Sequence, residues 1–298
     1  MRKITTLDGI ELVPIGLGTF PFQREEMCLL IENAVAVGYR LFDTADDYRG
    51  ETGIGMAVER LTKSGRIKRE SLFLQTKISA NGSYVNEPLS GVYFNKYSPF
   101  MQKHSVAELV REKVHISLRE MHTEYLDSLL IHLPYEDYFP DIWETMVRLK
   151  DEGKVRYLGV SNFHPRHIGQ LPTEAKPDIN EIYISPIGTK DAQVEYAGKE
   201  DILLMTYSPL MDVAAQRIKA EGTIKGIMQK YGKTLAQIVL RWNVDRGCIP
   251  LPRTKNPMRL RENFSIFDFQ LTADEIETIS SMNRDYQYMA ESTICPGI

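Results

Sequence analysis

The chain has 298 residues, 43% of them hydrophobic and 26% charged, with a formal net charge of −4. This balance excludes disordered, fibrous and membrane-embedded classes, and without a basic excess it argues against a nucleic-acid partner. A chain of this length buries enough core to need no disulfide or metal staple. Cys28, Cys248 and Cys295 are widely separated and read as unpaired thiols of a reducing cytosol. The basic start lacks the apolar stretch of a signal peptide, and no run of about 18 apolar residues is present. The expectation is a cytoplasmic protein without a membrane span.

In chain order, Asp8-Gly9 between two apolar-rich runs predicts an N-terminal β-hairpin. Short runs rich in Val, Ile, Leu, Phe and Tyr then predict strands near 15–19, 41–45, 72–78, 128–133, 157–161, 179–184, 202–208 and 248–253. Amphipathic stretches between them predict helices, among them 24–37, 51–61, 106–121, 140–152 and 234–244. Strands alternating with helices imply parallel pairing through crossovers. Eight such units fit an α/β fold of the (β/α)8 TIM-barrel type with an N-terminal β-hairpin, in one domain over 1–298. Two segments break the rhythm. One is the 80–105 connection, which carries Tyr84, Tyr93, Phe94, Tyr97 and Phe100; the other is the tail after Asn283.

Barrel chemistry sits at the C-terminal ends of the strands. Those ends carry Asp43, Lys77, His132, Ser161 with Asn162, Tyr207 with Ser208, and Arg253 with Thr254. A lysine beside a tyrosine lowers the phenol pKa, a carboxylate beside the lysine keeps it charged, and a histidine hydrogen-bonds a carbonyl. This set is suited to moving a proton at a carbonyl or hydroxyl oxygen. Gly16-Leu17-Gly18 is only a fragment of a dinucleotide glycine motif, because Pro21 occupies its sixth position. Arg253, Lys255, Arg259 and Arg261 cluster where barrels commonly bind phosphate. The alternative for this run is a solvated helix start. His164 and His167 lack a third ligand for a metal, and Trp143 and Met146 read as core.

These residues carry a resemblance to the aldo-keto reductase family. GYRLFDTADDYRGETGIG, over 38–55, resembles its first signature, with Asp43, Tyr48 and Glu51 at matching spacings. Residues 146–163, ending in VRYLGVSNF, resemble the second, and LPRTKNPMRLREN, over 251–263, the third. The resemblance implies NADPH-dependent reduction of an aldehyde or ketone, reversibly. It makes Tyr48 the general acid, tuned by Lys77 and Asp43, with His132 orienting and polarising the carbonyl. It also gives Ser161, Asn162 and Glu181 to the nicotinamide carboxamide and Tyr207 to the ring. Gly18, Thr19, Ser208, Pro209 and Leu210 fall along the cofactor. Arg253, Thr254 and Arg259 fall to the adenosine 2′-phosphate, which favours NADP over NAD, and Glu262 and Asn263 to the adenine.

The chain departs from that pattern in three places. Glu181 stands where the family usually has Gln; an ionised Glu181 is expected to favour the oxidised ring by about 1 kcal/mol at an effective dielectric near 20. Phe20 and Leu133 stand where the family often has Trp. With Phe22, Tyr84, Tyr48 and His132, and with Tyr286 and Tyr288, they are expected to line a mainly apolar, aromatic substrate pocket. The 80–105 connection is expected to close over the site as a lid. The partner is a small-molecule carbonyl, and the chain a monomer or weak homo-oligomer. A non-catalytic NADP-binding regulatory subunit is the alternative, opposed by the intact Asp43, Tyr48, Lys77 and His132. An isomerase or dehydratase on the same barrel also stays open.

Overall fold

The computed structural model describes residues 5, 9, 11–79, 103–134, 138–172 and 175–289. The lid expectation for 80–105, including Tyr84, falls largely outside the described residues, as do most of the hairpin and Cys295. Of the hairpin, an antiparallel bridge between Thr5 and Glu11 is described.

Eight strands follow one another around the sheet in sequence order: β1 (Gly16–Gly18), β2 (Leu41–Asp43), β3 (Phe73–Ile78), β4 (Leu126–Ile131), β5 (Val155–Ser161), β6 (Ile179–Tyr183), β7 (Leu203–Tyr207) and β8 (Cys248–Leu251). Each of the seven consecutive pairs is parallel. The seam closes where Gly18 N donates to Pro252 O at 3.2 Å. Gly16-Leu17-Gly18 therefore serves closure. A Cβ on Gly16 would lie 2.2 Å from Leu41 Cδ2 and 2.5 Å from Leu251 Cδ2. No side chain fits there without repacking the barrel interior.

Helices occupy the crossovers: α1 (Arg24–Val37), α2 (Glu51–Lys63), α3 (Val106–Glu120), α4 (Phe139–Asp151), α5 (Pro165–Ile168), α6 (Asp191–Lys199), α7 (Met211–Ala214), α8 (Gly222–Tyr231), α9 (Leu235–Asp245), α10 (Pro257–Phe264) and α11 (Ala273–Ser280). Their starts are written in the sequence. Ser105/Glu108, Thr234/Gln237 and Thr272/Glu275 form capping boxes on α3, α9 and α11. The Asn256 side chain caps α10 ahead of Pro257.

Side-chain alternation along the strands builds two cores. Outward residues such as Phe42, Leu74, Leu129, Leu158 and Leu204 pack against the helices. Inward residues Leu41, Phe73, Leu130, Ile179, Leu203 and Ile249, with Leu12 beneath them, fill the barrel. At the N-terminal end of β4, buried Asp127 is satisfied by Arg69 and Arg156, each at 2.8 Å, and by Leu74 N at 2.9 Å. Toward the C-terminal end the inward positions turn polar.

The strands match the predicted runs with shifted ends. β4 starts two residues earlier, at Leu126, and β8 stops at Leu251, before Pro252, which has no N–H for the ladder. Helices α6, α8, α10 and α11 complete the ring beyond the stretches named from periodicity. Among the described residues no helix is long and apolar enough to cross a membrane.

Candidate active site

The upper barrel interior is a polar layer. Asp43, Gln75, Ser128 and Tyr157 lie across from one another in the β2–β5 register. Lys77 and Glu181 project inward from β3 and β6. Lys77 is fully buried, with Nζ 2.5 Å from Asp43 Oδ1, 3.3 Å from Glu181 Oε1 and 3.1 Å from Thr44 O. Gln75 locks the arrangement. Its Nε2 donates to Asp43 Oδ1 at 2.8 Å and to Glu181 Oε2 at 2.9 Å, while its Oε1 accepts from Ser128 Oγ at 2.7 Å. Burial pushes the Lys77 pKa down, but Asp43 and Glu181 outweigh burial and the net shift is upward, so the ammonium stays charged.

Glu181 belongs to the same layer. Its carboxyl is turned into the barrel and engaged by Lys77 and Gln75. Burial, then the neighbouring Asp43, raises its pKa to about 8. The upward shift favours the neutral acid over the ionised form on which the expected redox effect depends.

Tyr48 sits in a short turn after β2, and its ring lies 5.5 Å from Lys77 Nζ. Its hydroxyl is 3.3 Å from His132 Nε2. Lys77 draws the phenol pKa down as expected, but burial raises it by more, and the net shift is upward. Tyr48 is thus held protonated, as a proton donor must be. His132 follows β4, with its backbone N–H bound to Ile78 O at 3.0 Å. Burial and then Lys77 lower its pKa to about 4, so the imidazole is neutral near pH 7. Behind it, Ser79 Oγ is 2.7 Å and Asp47 Oδ1 3.7 Å from Nδ1. Gln75, Ser79 and Asp47 escaped the sequence reading. The available signal was spacing: Gln75, Lys77 and Ser79 recur at period two on one face.

Beside this group the structure brings together Ser161, Asn162 and Tyr207. Asn162 Nδ2 donates to Ser161 Oγ at 3.0 Å, and Asn162 Oδ1 accepts from Tyr207 Oη at 2.9 Å. Asn162 and Ser208 both take left-handed backbone, with φ of 62° and 50°. Such non-glycine strain concentrates at functional sites. Gly18 lies against Leu251 O, and Thr19 Oγ1 donates to Asp43 O at 2.8 Å. Pro209 and Leu210 lead into α7. At the other end of the rim, Arg253 and Arg259 are exposed near the start of α10 and Thr254 is half-buried, while Arg253 Nη1 donates to Phe20 O at 2.9 Å. Glu262 accepts from Thr234 Oγ1 at 2.6 Å, and Asn263 is buried.

Of the expected pocket wall, Tyr288 lines a cavity with Asn162, Tyr183 and Tyr207. Phe20 stands edge-on to Tyr48, with ring centroids 5.1 Å apart, and Leu133 is half-buried. Phe22, however, packs against the helix-facing core. Tyr286 and Tyr288 cluster on Tyr183 at the β6 side. His164 N donates to His167 Nδ1 at 3.1 Å, so these rings organise a helical turn. Trp143 and Met146 are buried in the core. Among the described residues no group of three His, Cys, Asp or Glu is placed to hold a metal.

The structure is thus a parallel eight-stranded (β/α)8 barrel with a buried acid–lysine pair beneath a tyrosine on its C-terminal rim. The sequence pattern of the aldo/keto reductase family matches residues 14–284, and the chain belongs to that family. It is 31% identical over 286 residues to the uncharacterized oxidoreductase YtbE of Bacillus subtilis strain 168, covering 95% of this chain and 93% of that protein. It is also 31% identical over 281 residues to the methylglyoxal reductase DkgA of Escherichia coli O157:H7, covering 93% and 92%. Among solved structures, a Bombyx mori aldo-keto reductase in complex with NADP superposes with a TM-score of 0.81 at 28% identity, covering 98% and 96% of the two chains.

Proposed function

We propose that this protein reduces an aldehyde or ketone to an alcohol with NADPH, reversibly, taking the proton from Tyr48. The observation that carries the reading is Tyr48 itself. Its protonated hydroxyl is 3.3 Å from a neutral His132 and close to a permanently charged Lys77. A group so placed donates a proton to an oxygen on which negative charge develops.

The residues present fit a nicotinamide cofactor. Ser161 and the strained Asn162 present amide and hydroxyl groups suited to a carboxamide, and Tyr207 offers a ring face. Arg253 and Arg259, with the N-terminus of α10, suit a phosphomonoester, which supports NADP over NAD. Bound there, the reduced nicotinamide supplies hydride, the chemistry no side chain provides. Tyr48 holds the proton at the carbonyl oxygen. Lys77, fixed by Asp43, supplies positive potential beneath it, and His132 and Phe20 wall the reacting group. The similarity to methylglyoxal and glyoxal reductases supports small, reactive carbonyls as the first substrates to try.

The test is loss of NADPH absorbance with methylglyoxal and with an aromatic aldehyde. Turnover by the wild type but not by Tyr48→Phe supports the reading. Tight NADPH binding with no turnover on any carbonyl overturns it in favour of a cofactor-binding regulatory protein.

A further inference from the structure

The cavity lined by Asn162 and Tyr207 on the β5–β7 side of the rim extends to Lys190, the residue before α6. It adjoins the tyrosine site, because Asn162 Nδ2 donates to His132 O at 3.4 Å. One wall is aromatic: the Tyr183 ring lies 6.2 Å from that of Tyr207 and 5.7 Å from that of Tyr288. The Tyr183 hydroxyl is engaged by Asp212 and Ser185, which leaves the ring as the surface it offers.

The other wall carries a cation without a counter-charge. Lys190 is half-buried, and among the described residues it makes no ion pair and no side-chain hydrogen bond. Asp191, its neighbour in sequence, is engaged by Arg246 and by Thr189 Oγ1. No acidic residue lines the cavity. Gln193 and His164 stand beside Lys190 in the lining, with Gln193 Nε2 3.5 Å from His164 Nδ1. Lys190 also holds a left-handed backbone, φ 52°, a strain that non-glycine residues keep mainly at functional sites. An ammonium partly withdrawn from water, with amide and imidazole groups beside it, calls for an anion. A single point charge suits a carboxylate. The arginine forks that a phosphomonoester prefers stand elsewhere on the rim, at Arg253 and Arg259.

We propose that Lys190 is a specificity-determining residue that binds the carboxylate of a carbonyl substrate whose apolar body lies against Tyr183 and Tyr288. The substrate class is then an oxo acid, with carbonyl and carboxylate at opposite ends of an apolar, preferably aromatic, spacer. Methylglyoxal has no such charge to offer. That the anion belongs to a substrate rests on the carbonyl reduction proposed above; the anion site does not. The carboxylate takes no part in the chemistry and keeps its charge throughout. Lys190 therefore holds ground state and transition state alike, and its effect belongs in KM.

The kinetic test compares 4-carboxybenzaldehyde and 3-(4-formylphenyl)propanoate, two lengths of spacer, with their methyl esters. The wild type should prefer at least one acid over its ester by roughly ten- to hundredfold in kcat/KM, the size of one charge-assisted hydrogen bond. In Lys190→Met that preference should collapse toward one through a raised KM for the acid, and Lys190→Arg should keep it. Calorimetry with the unreactive 4-methylbenzoate and 3-(4-methylphenyl)propanoate, on the full chain with NADP+ present, reads the site without turnover. The tighter of the two should bind at least tenfold more weakly to Lys190→Met. Lysine-dependent binding of these acids with no reduction of any carbonyl would keep the anion site and overturn the reductase reading. Equal kcat/KM for acids and esters in an active wild type overturns the present proposal alone. So does a Lys190→Met variant that keeps the preference and loses affinity for NADPH, since the lysine would then belong to the cofactor.

Discussion

Glu181 Oε1 lies 3.3 Å from Lys77 Nζ, so the lysine beneath Tyr48 answers to a second buried carboxyl besides Asp43. Glu181 keeps its proton up to about pH 8, chiefly because burial disfavours its charge. Below that pH it is a near-isostere of glutamine; above it a negative charge enters the layer. We expect wild type and Glu181→Gln to share one ratio of NADP+ to NADPH dissociation constants near neutral pH. About one unit above the Glu181 pKa, the wild type alone should shift toward the oxidised form by roughly fivefold, about 1 kcal/mol at an effective dielectric near 20. Fluorescence titration at the two pH values checks this, and parallel ratios throughout would remove Glu181 from the control of redox preference.

Tyr48→Phe keeps the ring packed on Phe20 and deletes the proton. Carbonyl reduction should fall by roughly a hundred- to ten-thousand-fold. The NADPH dissociation constant should not move, because the hydroxyl is directed at His132. Single-turnover absorbance decay beside equilibrium titration separates the two.

Lys77→Met should be a stability variant as much as a catalytic one. It strands Asp43 and Glu181 in the barrel without their cation. Removing one partner of a buried ion pair costs roughly 3–5 kcal/mol. The loss should shrink on acidification, because burial favours the neutral form of the stranded Glu181 carboxyl. Urea midpoints at mildly alkaline and mildly acidic pH, with an unchanged m-value, measure it.

Glu51 is another buried acid, held by Thr76 Oγ1 at 2.7 Å and Ser117 Oγ at 3.0 Å. Burial raises its pKa from 4.5 to about 7. Between those values the folded chain holds a proton that the unfolded chain releases, so stability falls as pH rises through the window and levels off above it. The drop is on the order of 3 kcal/mol. Glu51→Gln should remove that slope, and denaturant midpoints from acid to neutral pH read it. An identical slope in the variant would assign the titration to another group.

Much of the fold was legible because strand and helix periods differ and the capping residues stand where the helices begin. The rim residues were legible because strand ends could be located: Asp43, Ser161 and Tyr207 close strands, His132 follows one, and Lys77 is the last residue but one of β3. What eluded the sequence was direction and company. Glu181 was read as a carboxamide contact; its engagement by Lys77 and Gln75 inside the barrel was not foreseen. Tyr48 was read as acidified by Lys77, but how far burial opposes a charge is a property of the packed barrel. Asp47 and Ser79 meet at His132 from separate strand ends, a contact no local spacing announces.

The Gln75 amide ties Asp43, Glu181 and Ser128 into one lattice around Lys77. Most members of that lattice cannot change alone, since each replacement leaves a neighbour's donor or acceptor unmet. Double-mutant cycles across it should be strongly non-additive, unlike pairs on opposite sides of the barrel. The layer should therefore answer to substitution as one unit, except at Glu181, where a glutamine keeps an oxygen to accept from Gln75 Nε2.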